Sequence, residues 1–291
     1  MSILRHYSYV FASIFLLMGC SPPTPSPEKP KQQTTIESEF KPPMGPWGLP
    51  YRVGNLGGKP VNLDGQLARY INYEVCPVWV WDKAEPECKK KQKRTYDSVI
   101  ESFSFEMRYT DGLLMVRYYK APQYSEQQYN AERNLIDSPW VTVGVRAGKM
   151  YVKDGNMDAF LEKILNKKPT PNSVDSNGEY IYMQIYVPTD ESYYGLKKYA
   201  PHPEWISRFG YEDTEDLYLY QDDNPHHTTM IYCYNHPKVN QCYQKFILEP
   251  EMKVLVEARF VRKHLKDWQL IQEQARKVVL GFVVQPQDES N

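Results

Sequence analysis

This chain of 291 residues has almost no net charge, few cysteines and no second long apolar run. A formal charge of −1 at neutral pH leaves no basic face of the kind a nucleic-acid partner requires. Beyond the N-terminal leader no stretch approaches the roughly 20 apolar residues that span a bilayer. Catalytic motifs are missing too: there is no G-x-S-x-G elbow, no H-E-x-x-H helix and no complete phosphate loop. Gly54, Gly57, Gly58 and Lys59 have the wrong spacing for such a loop, and Pro60 stands where a Ser or Thr would hold magnesium. Ser26 and Lys29 make an S-x-x-K, but in a proline-rich stretch that fixes no reacting geometry. A triad assembled from distant positions leaves no spacing signature. On the motifs present, the chain reads as a non-enzyme without a cofactor.

What is present starts at the N-terminus. Arg5 and His6 precede about a dozen apolar residues, and Leu16-Leu17-Met18-Gly19-Cys20 follows. That run resembles a lipobox, the site at which a bacterial exporter lipidates a cysteine and cuts before it. The resemblance implies that residues 1–19 are a signal peptide and that Cys20 becomes a lipidated N-terminus anchored to the membrane in the periplasm. Ser21, where an Asp would mark inner-membrane retention, points to the outer membrane. Residues 20–46 then carry eight prolines among Ser, Thr, Lys and Gln. Such composition makes an extended tether of about 3 Å per residue, or simply a disordered spacer.

The folded part reads as two segments, 47–167 and 179–291, joined by a Pro- and Asn-rich linker at 168–178. Alternation of Phe103, Phe105, Met107 and Tyr109 with polar neighbours predicts a strand over 98–109. Asp111-Gly112 predicts a turn into a second strand over 113–119. Ser125 and Gln128 have capping-box spacing, with Tyr124 and Tyr129 placed as a hydrophobic staple, so a short helix follows. Residues 140–145 read as a strand and 157–165 as an amphipathic helix. In the second segment strands are expected at 180–187, 217–220, 230–234, 243–248 and 254–261. A terminal helix over 266–282 carries Trp268, Ile271, Ala275, Val278, Val279 and Phe282 on one stripe. The stretch between 187 and 217, rich in Tyr and Pro, reads as irregular. The expected class is α+β, with antiparallel sheets each covered by amphipathic helices and the two segments possibly similar.

Four cysteines remain after Cys20. In an oxidising compartment Cys76, Cys88, Cys233 and Cys242 are most simply disulfides, with the two local pairings favoured among three connectivities. A metal site is the rival, since His226, His227, Cys233, His236 and Cys242 lie close together, but their spacing fits no familiar zinc pattern.

One stretch stands out as a contact surface. From Phe209 to Pro237 there is no Lys or Arg. Glu212, Asp213, Glu215, Asp216, Asp222 and Asp223 crowd together there with Tyr211, Tyr218 and Tyr220. An acidic, tyrosine-bearing edge suits a basic protein partner; a solvated acidic loop beside a tyrosine-rich strand is the plainer reading.

The C-terminal passage contains Cys233, Cys242-Tyr-Gln-Lys-Phe246, Pro250-Glu-Met252, Phe260-Val-Arg262 and Leu265-Lys-Asp-Trp268. It resembles lipoproteins encoded beside toxic effectors of type VI secretion systems. The resemblance implies an immunity protein that binds and neutralises an incoming toxic effector protein, and it assigns no contact residues. The alternative is a structural or assembly lipoprotein of the cell envelope.

Overall fold

The computed structural model describes residues 40–74, 93–117, 120, 125–154, 157–165, 171–174, 180–182, 184–223 and 228–284. Cys20, Cys76 and Cys88 therefore lie outside the described residues, as do the signal segment and most of the tether. Residues Phe40–Asn291 form one compact unit.

The strands are β1 (Arg52–Leu56), β2 (Lys59–Leu63), β3 (Arg69–Tyr73), β4 (Ile100–Arg108), β5 (Trp140–Arg146), β6 (Pro171–Val174), β7 (Tyr180–Tyr182), β8 (Tyr186–Tyr193), β9 (Leu196–Pro201), β10 (Glu215–Tyr220), β11 (Thr229–Tyr234), β12 (Gln241–Ile247) and β13 (Leu255–Val261). The helices are α1 (Glu126–Glu132), α2 (Gly148–Asp154), α3 (Met157–Ile164), α4 (Pro203–Phe209) and α5 (Trp268–Gly281), the last entered through a 3-10 turn at Arg262–Asp267.

Nine strands make one antiparallel sheet in the order β3-β4-β5-β13-β12-β11-β10-β9-β8. Two hairpins stand apart, β1-β2 and β6-β7. The two stretches expected as segments do not each close their own sheet. Val143 of β5 sits opposite Ala258 of β13, so the first stretch is zipped to the last strand of the second. The physical reason lies in β5 itself, where Val141, Val143 and Val145 are buried on one face between two partners.

One face of the sheet carries the main apolar core. Phe103, Phe105 and Met107 of β4, Val256, Ala258 and Phe260 of β13, and Ile231 and Cys233 of β11 share a core with Trp268, Ile271, Ala275 and Val279 of α5. The β1-β2 hairpin joins that core through Leu56, Val61 and Leu63. The glycine run noted in the sequence is explained here. Gly57 and Gly58 take φ of 56° and 94° in the hairpin turn, where glycine is unstrained. A Cβ at Gly54 would stand 2.6 Å from Ile100, so the glycine lets β1 lie close to β4.

The opposite face is divided. At one side α3 buries Met157, Leu161 and Ile164 against Leu217, Leu219, Met230 and Tyr232. In the middle β5, β12 and β13 present a polar lattice: Glu257 is ringed by Arg259 at 2.8 Å, Arg146 at 3.8 Å and Lys245 at 4.0 Å.

Three local expectations change. No strand forms over 113–117: β3 pairs β4 only from Ile100 to Ser104, and the returning chain meets the short open end of that edge through backbone hydrogen bonds of Leu113 and Met115 alone. Only Leu114 bridges Met107, at the end of β4 that β3 leaves unpaired. Ser125 does not cap α1; its hydroxyl accepts from Val116 N at 2.8 Å and donates to Leu114 O at 2.7 Å, fastening that returning chain. Tyr124, the expected staple, lies outside the described residues. The stretch read as irregular holds the β8-β9 hairpin and α4. His202 caps α4 by accepting from Glu204 N, and Pro203 opens the helix.

Edge strand β8 is protected against pairing with another chain. Its register with β9 slips between Pro188 and Ser192, and Pro188, Asp190 and Glu191 occupy the outer run.

Candidate functional site

The acidic stretch does not form one uniform surface, because β10 sends alternate residues to opposite faces. Tyr211, Glu212, Asp213, Asp222 and Asp223 are exposed, in the loops that flank the strand. Glu215 turns toward the face that carries α3, and Tyr243 Oη donates to it at 2.5 Å. Asp216 and Tyr218 turn to the α5 face and are buried, 2% and 4% exposed. Tyr220 is half-buried, its ring 5.3 Å from that of Trp268.

The cations missing from this stretch are supplied by neighbouring elements. Arg262, just past β13, reaches Asp216 at 3.3 Å, Tyr218 Oη at 3.2 Å and Tyr234 O at 2.8 Å. Lys198 of β9 stands opposite Tyr218 and lies 3.6 Å from Asp216 and 2.9 Å from Glu191. Asn235 Nδ2 donates to the second oxygen of Asp216 at 3.2 Å. A carboxylate taken this far from water is sustained by hydrogen bonds and opposite charge. Burial works to lower the Lys198 amine, but the Glu191 hydrogen bond and the Asp216 charge outweigh it, and the net shift is upward. The Lys198 hydrogen bond, helped by the Tyr193 hydroxyl, holds Glu191 below the usual carboxylate range.

Around this ionic centre the surface is aromatic. Tyr193 lays its ring edge-on to Tyr218 at 5.9 Å and donates its hydroxyl to Glu191 at 3.1 Å. Tyr194 follows in the β8-β9 turn, and its carbonyl accepts from Trp268 Nε1 at 3.0 Å. Tyr211 is raised above the ordinary phenol value by burial, then by Asp216, while Lys198 and Arg262 pull it back, so its hydroxyl lies within their field. Phe209 closes α4, its ring tilted against that of Trp205 with centroids 4.7 Å apart. Tyr193, Tyr194, Phe209 and Tyr211 are 41%, 59%, 43% and 48% exposed. Tyr193, Tyr194 and Tyr211 thus stand exposed beside a neutralised ionic network.

Sequence reasoning missed Glu191, Tyr193, Tyr194, Lys198 and Arg262. The Tyr194-Gly195 pair was the available signal for a hairpin, but Tyr at the first turn position hides it.

Cys233 and Cys242 face each other across β11 and β12 and are joined as a disulfide, with Cα atoms 4.1 Å apart. His226 and His227 lie outside the described residues. Among the described residues no group of three or more His, Cys, Asp or Glu is arranged to hold a metal ion. Nor, among them, is any helix long and apolar enough to cross a membrane.

No family model matches this chain, and no curated protein does. A solved structure, Smlt3025, an immunity protein of the Stenotrophomonas maltophilia type IV secretion system, is similar over 85% of this chain and all of that one, at 12% identity and a TM-score of 0.45.

Proposed function

We propose that this chain is an immunity protein: it binds a toxic effector protein in equal proportion and covers its active site, without turning over a substrate. The observation that carries the reading is the set of exposed aromatics with carboxylates beside them at both ends of β10: Tyr193 and Tyr194 with Asp222 and Asp223 at one end, Phe209 and Tyr211 with Glu212 and Asp213 at the other. Exposed aromatics supply binding energy once a partner desolvates them, and carboxylates around them speed encounter with a basic surface. Residues 233–268, by their resemblance to type VI secretion immunity lipoproteins, supply the class of partner. The lipobox and the proline-rich tether supply the place, an anchor through Cys20 on the periplasmic side of the outer membrane.

The test is genetic and biochemical together. The full-length chain should co-purify in a one-to-one complex with the product of an adjacent gene, and should protect a sensitive cell that produces that protein in its periplasm. Replacing Cys20→Ala should abolish protection through mislocalisation while leaving the purified complex intact. If no neighbouring gene encodes a toxin and deletion leaves the cell indifferent to sibling attack, the reading fails. A general envelope defect on deletion would instead favour an assembly lipoprotein.

A further inference from the structure

The turn between β8 and β9 is built against local preference. It has two central residues, Tyr194 and Gly195, with φ of 53° and 81°. A hairpin turn with both φ values positive favours Asn, Asp or Gly at its first central position. The same molecule follows that preference in the β1-β2 hairpin, which uses Gly57 and Gly58 at φ of 56° and 94°. Here a tyrosine occupies the left-handed position, and the residue is 59% exposed, so core packing does not account for it. Tyr70 is the other non-glycine residue with positive φ among the described residues; it sits at a register shift in β3, where the bulge itself bends the chain.

The turn is also fastened. Trp268 is 3% exposed, at the start of α5, and its indole donates to the Tyr194 carbonyl at 3.0 Å. Tyr193, the preceding residue, is held by the Tyr218 ring and by Glu191. The backbone that carries this exposed aromatic is thus held by Trp268 and, through Tyr193, by Tyr218 and Glu191. Asp222 and Asp223, both exposed, leave β10 at the same end of the sheet as this turn, because β9 and β10 run antiparallel.

From this we propose that Tyr194 is a preset anchor, which enters a pocket with a basic rim on the partner protein. The inference rests on the immunity reading and names the residue and the partner chemistry. A residue on a held backbone loses little backbone freedom on binding, so its contribution falls on the dissociation rate, while the flanking carboxylates act on association.

Two variants test it, with the toxin encoded by the adjacent gene as probe and the full-length chain as binder. Tyr194→Asn places a residue that tolerates positive φ. It should raise the melting temperature by about 2–4 °C and weaken the complex at least tenfold, mainly through faster dissociation. The paired change Asp222→Asn with Asp223→Asn should slow association, and added salt should slow association of the unaltered chain. Unchanged affinity in Tyr194→Asn, with binding by the unaltered chain intact, overturns the anchor and leaves the immunity reading standing. A melting temperature that does not rise overturns the claim that the turn is strained for binding. Association that does not respond to salt overturns the basic rim. If the unaltered chain binds no such toxin, both readings fall.

Discussion

Glu215 and Asp216 are neighbours in sequence with opposite circumstances. Asp216 is buried with two cations and an amide; Glu215 is half-buried and receives the Tyr243 hydroxyl. Burial raises the Glu215 carboxyl above its ordinary value, against the pull of the Tyr243 hydrogen bond and the Lys245 charge. An acid raised in the folded state binds more protons folded than unfolded. Its contribution to stability is full below the ordinary value of 4.5 and is lost as pH rises through the raised value. Glu215→Gln removes that loss. The variant should gain stability relative to the unaltered chain on going from about pH 4 toward neutrality, measured as urea midpoints across the series. A gap that widens toward acid would contradict this assignment. The acidic cluster was legible in the sequence as a run of carboxylates, but its division was not. Lys198 arrives from β9 and Arg262 from the 3-10 turn past β13, and no local pattern announces that they neutralise Asp216.

Elements with an unambiguous apolar period were the ones the sequence could announce. The alternation in β4 and the three-and-four spacing in α3 and α5 each have one buried stripe, and β10 to β13 carry dense β-branched and aromatic residues. Elements set by competition for partners were not legible. The chain after Gly112 finds only the short end of β4 that β3 leaves open, and Ser125 serves that chain instead of its own helix. The β11-β12 hairpin offers a test at this scale. Its disulfide closes a sequence separation of nine between two fully buried cysteines in the sheet centre. Replacing Cys233→Ala and Cys242→Ala together should cost about 2 to 3 kcal/mol of unfolding free energy by the loop-entropy relation. Ser at both positions should cost more, since two hydroxyls would enter an apolar core. Chemical denaturation of the three proteins gives the order directly.

At the scale of the whole molecule, the seam between β5 and β13 governs behaviour. A single sheet drawn from both ends of the folded region has no interior place to divide, so its unfolding should be one cooperative event. Tryptophan emission and far-UV circular dichroism, followed through a urea titration, should give coincident curves. Two separated transitions would show that the halves are autonomous after all. The same seam bears on how the chain reaches its fold. Arg146 pairs with Leu255, about a hundred positions downstream. Strands β3 to β5 therefore expose an unpaired edge until the last strand has been delivered. Contacts this distant are slow to form, because the loop between them must close before they stabilise anything. A chain delivered from its N-terminus thus cannot complete its sheet until β13, the strand that arrives last, has emerged.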